Sequence, residues 1–133
     1  MTPLRPTSSR SATASPTLLA LLALHLGACG PSEAERRELD GRTLYAVHGC
    51  VSCHGPDGRG MALGPALTGL GEHWDRAGLA AFLADPAGAI EGDERLRELD
   101  RRYASKMRDY SAVPEAERLR IADYLLGLDS ESR

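Results

Sequence analysis

Cys50 and Cys53 stand three positions apart, His54 follows at once, and Gly55 closes the run. Two thiols at this spacing, with an imidazole directly after the second, form the attachment signature of c-type haem. The geometry explains the pattern. The thiols add to the two vinyl groups on one edge of the porphyrin, and the next side chain is delivered to one axial face of the iron. Two other chemistries use Cys-x-x-Cys. A dithiol redox pair sits at a helix N-terminus just after a strand in a βαβ setting, and no such strand is legible here. A structural zinc site takes four ligands, but the one further cysteine, Cys29, belongs to the leader, and His73 alone does not complete the set.

The opposite axial face needs a second ligand. Met107 lies 53 residues after His54, between two expected helices, far enough along the chain to reach that face. Met61 is only seven residues from His54, on a loop expected to follow the haem edge, and His48 is too close to Cys50 to cross the ring plane. His73 is the alternative and would give a bis-histidine site. A methionine that merely fills core space is the plain reading of Met107.

The chain of 133 residues holds at most one domain, with 16 basic and 19 acidic side chains. Residues 1–28 read as a removable leader: Arg5 and Arg10 precede an apolar stretch from Leu18 to Leu26, and Leu26-Gly27-Ala28-Cys29 ends it. Those last four residues have the form of a bacterial lipobox, in which the cysteine is lipidated and becomes the new N-terminus; an ordinary signal peptide or an uncleaved anchor is the alternative. The expected organisation is a lipoprotein signal peptide at 1–28, a polar tether at 29–32 and a globular domain at 33–130. Without the leader, 14 basic face 19 acidic side chains, a charge of −5. Nucleic acid is then an unsuitable partner, because the electrostatic part of its binding is repulsive. With one Trp and one Phe, so short a domain lacks apolar mass, which a covalent haem would supply.

The elements that must position these residues are helical. Ser32 and Glu35 form a capping box for a helix running to about His48, with Leu39, Leu44, Tyr45 and Val47 inward and Gly41 in its middle, a sign of close approach by another element. Residues 55–71 are dense in glycine and proline and must be a loop; a phosphate-binding reading lacks both the Gly-Lys-Ser/Thr and the preceding strand. Asp75 caps a helix that ends before Asp85-Pro86, with Leu79, Phe82 and Leu83 inward. Residues 87–92 read as a turn. Asp93 caps a helix over 94–103, and a last helix runs from Glu115 to about Leu128, with Leu119, Ile121, Tyr124, Leu125 and Leu128 inward and Glu115 and Glu117 favoured in its first turn by the dipole.

In this order the motifs resemble the class I, monohaem cytochrome c family over nearly the whole mature chain: Gly41 with Tyr45, Cys50-Val51-Ser52-Cys53-His54-Gly55, Asp57-Gly58-Arg59-Gly60, Gly64-Pro65-Ala66-Leu67, Met107, and Ile121 with Tyr124-Leu125. The resemblance implies an all-α cytochrome c fold, about four helices around one haem c attached through two thioethers. It implies that the terminal helices cross where Gly41 and Tyr45 meet Ile121 and Tyr124. It makes His54 and Met107 the iron ligands and the carbonyl of Pro65 the acceptor for the other His54 ring nitrogen. The family usually has proline after this methionine; here it is Arg108.

Two occupied axial positions leave no open site for oxygen, peroxide or an organic substrate, and a histidine–methionine pair suits one-electron transfer. The reading is therefore not an enzyme but a monomeric, membrane-tethered carrier on the periplasmic side, docking transiently with larger redox proteins. Lipid on Cys29 would hold it to the membrane, and by resemblance to Gram-negative lipoproteins Gly30 after that cysteine leans towards the outer membrane. The alternatives are the electron-entry subunit of an oxidase, dehydrogenase or reductase, or a haem peroxidase with a labile distal ligand. Trp74, Tyr103 and Tyr110 are candidates to pack on the macrocycle. Arg101, Arg102, Lys106 and Arg108 form either a docking patch, counter-charge for the propionates, or a solvated face.

Overall fold

The computed structural model describes residues 30–131, with side chains through Leu128, and divides the chain into Met1–Pro31 and Ser32–Arg133. The expected leader and Cys29 lie outside the described residues. Seven α-helices occur among the described residues: α1 (Glu33–Arg37), α2 (Gly41–Val47), α3 (Val51–His54), α4 (Arg76–Ala84), α5 (Pro86–Gly92), α6 (Glu94–Arg102) and α7 (Glu115–Glu131), with a 3-10 turn at Leu70–Glu72. The fold is all-α, as expected, but the helix count of about four is corrected to seven.

The extra helices have local causes. The single helix expected from Ser32 to His48 is two, because the Asp40 carboxylate accepts from Thr43 N at 2.7 Å and starts α2 afresh. Gly41 is thus the first residue of a helix and not the middle of one. Left-handed Gly49, at φ 78°, separates α2 from the single turn α3. The turn expected at 87–92 is α5, with Pro86 in its first turn and the Asp85 carboxylate accepting from Gly88 N at 2.9 Å. The remaining boundaries follow their caps: Ser32 and Glu35 bond reciprocally, Asp75 accepts from Gly78 N at 2.6 Å, and Asp93 accepts from Arg95 N and Leu96 N.

The core is where α2 and α4 both pack on α7. Leu44 and Tyr45 of α2, Leu79, Ala80 and Leu83 of α4, and Ile121, Ala122, Leu125 and Leu128 of α7 form one buried cluster. Leu119 and Tyr124 are half-buried, and Val47, expected inside, is exposed. The crossing of α2 and α7 depends on an absent side chain: a Cβ on Gly41 would lie 2.1 Å from Arg120 O and 2.7 Å from Tyr124 Cβ. With hydrogen there, the backbones touch and the Tyr45 and Tyr124 rings meet at 5.6 Å between centroids. The Arg120 guanidinium fastens the same corner, donating to the carbonyls of Arg37 at 2.6 Å and Leu39 at 2.7 Å. Among the described residues no helix is long and apolar enough to cross a membrane.

Candidate functional site

One wall of the site is built by short-range folding around α3. Tyr45 OH donates to Gly55 O at 2.7 Å, which ties the end of α3 to the core helix α2. Burial pushes the Tyr45 hydroxyl well above its usual pKa, so it stays a donor. His54, the last residue of α3, is only 7% exposed. The glycine-rich loop then doubles back on it. Gly58 and Gly60 have φ of 65° and 82°, a region L side chains avoid. Gly60 N donates to His54 O at 2.9 Å, and Leu67 N donates to Gly58 O at 2.7 Å. An isolated bridge joins Met61 to Gly64. A Cβ on Gly64 would stand 2.9 Å from Cys53 O, so the loop reaches α3 only because residue 64 is glycine. That approach sets Pro65 O 2.9 Å from His54 Nδ1. The hydrogen bond fixes the ring and its tautomer, leaving Nε2 as the nitrogen for a metal.

The segment between α6 and α7 also lines the cavity. Met107 sits in that segment half-buried, between Lys106, whose ammonium pairs with the Asp100 carboxylate at 2.6 Å, and Tyr110, whose N–H donates to Leu83 O at 3.1 Å. Met107 lines this cavity of about 330 Å³ together with Cys50, Cys53, His54 and Pro65, a volume within the ordinary range for cofactor pockets. Leu79, Phe82, Leu83 and Leu125 give it apolar walls. Trp74 also faces it, tilted against Phe82 at 5.2 Å with the Arg95 guanidinium 6.0 Å from its ring centroid.

Met61, 53% exposed, and His73, also exposed, do not line this cavity. Tyr103 and Tyr110 do, and burial, then the Cys50 thiol, pushes the Tyr110 hydroxyl up to about 12. Of the four basic residues clustered around Met107, Arg101 pairs with Glu94 and Glu98, Arg102 with Glu98, and Lys106 with Asp100, while Arg108 and Lys106 reach the cavity rim.

Two groups escape a reading of spacing alone. Glu117, expected only as a dipole-favoured acid, is 2% exposed; its carboxylate accepts from His48 Nε2 at 2.8 Å and lies 3.7 Å from Arg36 Nε. His48 in turn stands edge-on to Tyr110. Arg118 reaches from α7 to the carbonyl of Ala80 in α4 and to the segment after Met107. Neither has a local signal, because each partner is more than 30 residues away or belongs to an irregular segment.

The donor set suits haem c. Cys50 and Cys53 are both free thiols on one wall, the His54 imidazole is oriented through Nδ1, a thioether stands in the same cavity, and the lining is apolar. Fold and site together define an all-α protein with an apolar cavity whose donors fit haem c. The chain belongs to the cytochrome c family, whose model, described as Cytochrome c, matches residues 39–129. Membership carries haem c as the cofactor and a general electron-transfer role without catalysis. Searches of curated proteins and of solved structures each return no match.

Proposed function

We propose that this chain is a class I, monohaem cytochrome c that carries single electrons between larger redox proteins on the periplasmic side of a bacterial membrane. In this reading the haem is held by thioethers to Cys50 and Cys53 and ligated by His54 and Met107. The observation that carries it is the placement of these four side chains on one cavity, with His54 Nδ1 bonded to Pro65 O. The bound haem supplies a one-electron Fe(III)/Fe(II) couple. The protein's part is to present the imidazole and the thioether in fixed orientation, to exclude water with Leu79, Phe82, Leu83 and Leu125, and to leave a rim where a partner docks. Transient electron-transfer contacts are small, which fits a monomer docking by one rim. The tether reading rests on Leu26-Gly27-Ala28-Cys29, with Gly30 favouring the outer membrane.

The deciding experiment is acid-acetone extraction of the purified protein followed by oxidised and reduced visible spectra. Haem that stays on the polypeptide, with six-coordinate low-spin spectra that added peroxide leaves unchanged, is the expected result. Haem lost to the organic phase defeats the attachment. Rapid peroxide turnover defeats the carrier reading in favour of a peroxidase, and co-purification in fixed ratio with a dehydrogenase or oxidase makes the chain an electron-entry subunit.

A further inference from the structure

Met107 occupies an irregular segment of twelve residues, 103–114, between α6 and α7. Such a segment keeps a side chain in one place only if its backbone is tied to something rigid. Upstream, the Lys106 ammonium donates to Asp100 O at 3.0 Å and to Asp100 Oδ2 at 2.6 Å. Downstream, Tyr110 N donates to Leu83 O at 3.1 Å, and Val113 N closes a turn on Tyr110 O at 3.0 Å. Arg108, directly after Met107, places no restraint of its own on φ, as a proline would. The carbonyls of Ser111 and Val113 receive their donor from one side chain, Arg118. Its Nη1 donates to Val113 O and, at 3.5 Å, to Ser111 O, while its Nε donates to Ala80 O at 3.2 Å.

We propose that Arg118 is the positioning residue for Met107: its guanidinium locks the segment that follows the methionine onto α4 and α7, and so keeps the thioether facing the cavity. The inference rests on the reading of Met107 as the distal ligand. Three carbonyls from two elements converge on one planar group with fixed donor directions, a task a lysine ammonium on a flexible stem performs less well. Arg118 does not line the cavity; it acts through the backbone of residues 111–113.

The test uses the haem-loaded protein with Arg118→Gln, Arg118→Lys and Arg120→Gln, titrated with imidazole in the ferric state. Arg120 is the control, because it binds the carbonyls of Arg36, Arg37 and Leu39 by the same chemistry on the other side of α7. Exogenous imidazole competes for the distal position, so its apparent affinity rises in proportion to the fraction of molecules in which the methionine has left. Arg118→Gln should tighten imidazole about tenfold, Arg118→Lys by less, and Arg120→Gln by less than about twofold even where it lowers the unfolding temperature. Equal tightening by Arg118→Gln and Arg120→Gln at matched loss of stability, or none in Arg118→Gln, would overturn the positioning role while leaving Met107 as ligand. A wild type without sulfur-to-iron charge transfer in its spectrum removes the ligand itself, and this role with it. Should Arg118→Gln fail to accumulate, Arg118→Lys against Arg120→Gln carries the same comparison.

Discussion

Nδ1 of His54 donates to the backbone carbonyl of Pro65 at 2.9 Å. The acceptor is a main-chain atom, so its chemistry belongs to the loop's course and not to the proline ring. What brings that carbonyl into place is the glycine at 64, which lies against Cys53 with no room for a Cβ.

It follows that Pro65→Ala should retain the imidazole orientation and the haem spectrum. The loss is the conformational restriction of the unfolded chain, about 1 kcal/mol of stability. Gly64→Val should be far more damaging, with disturbed haem spectra. Denaturant unfolding and visible spectra of the two variants check this; a Pro65→Ala protein with altered axial ligation would sink it.

Gly41→Ala should destabilise the fold by about 3 kcal/mol, since the added methyl overlaps Arg120 O and neither backbone has room to move in a packed crossing. Thermal unfolding followed by circular dichroism reads the loss. A variant as stable as wild type would mean that α2 and α7 cross elsewhere.

Several helix starts were legible from their capping side chains: Ser32, Asp75 and Asp93 all cap where their positions predict. The break at Asp40 was not, because the apolar residues Leu39, Leu44 and Tyr45 run through it in helical register and hide the second cap. α5 was hidden for the opposite reason, since two glycines and an Asp-Pro outweigh its short apolar content. At the site, the motif from Cys50 to His54 is chemistry written in consecutive residues. The meeting of Glu117 with His48, 69 residues apart, is written only in the packing of α7 on α2.

Glu117→Leu should cost about 2 kcal/mol, because it takes the acceptor from the part-buried His48 Nε2. Glu117→Gln should cost less, since an amide oxygen still accepts from His48 Nε2. Denaturant midpoints of both variants decide it; equal stability of Glu117→Leu and wild type would show that the carboxylate is dispensable.

Met107→Ala should abolish the weak sulfur-to-iron charge-transfer band at the red edge of the visible spectrum, lower the reduction potential and admit imidazole or cyanide. Met61→Leu should do none of these, as its side chain stands mostly in solvent away from the cavity. The reverse result would exchange the two methionines, and restored ligand access in His73→Ala would favour bis-histidine ligation.

Stability should fall in alkali. The Tyr110 hydroxyl has a folded pKa pushed up to about 12 by burial against about 10 in an unfolded chain. Its contribution is therefore fully present below pH ~10 and is lost as the pH rises through ~12. Tyr110→Phe should flatten that part of the profile in pH-dependent denaturant melts, and an unchanged slope would assign it to another group.

Cys29→Ser should move the exported protein from the detergent phase to the aqueous phase, since several acyl chains together hold a protein at a membrane. Wild type and variant partitioning alike into water would make the leader an ordinary signal peptide.

The two walls of the cavity close over very different stretches of chain. His54 meets Pro65 across 11 residues, whereas Met107 and His54, which line the same cavity, are 53 residues apart. Loop-closure entropy makes the longer closure dearer by about 1.4 kcal/mol before any contact is counted. On partial unfolding the Met107 segment should therefore open before the loop that meets α3, an order that hydrogen exchange at Tyr110 and Gly60 reads directly. In folding the order should reverse, with the short closure around α3 formed before the long one that brings in Met107.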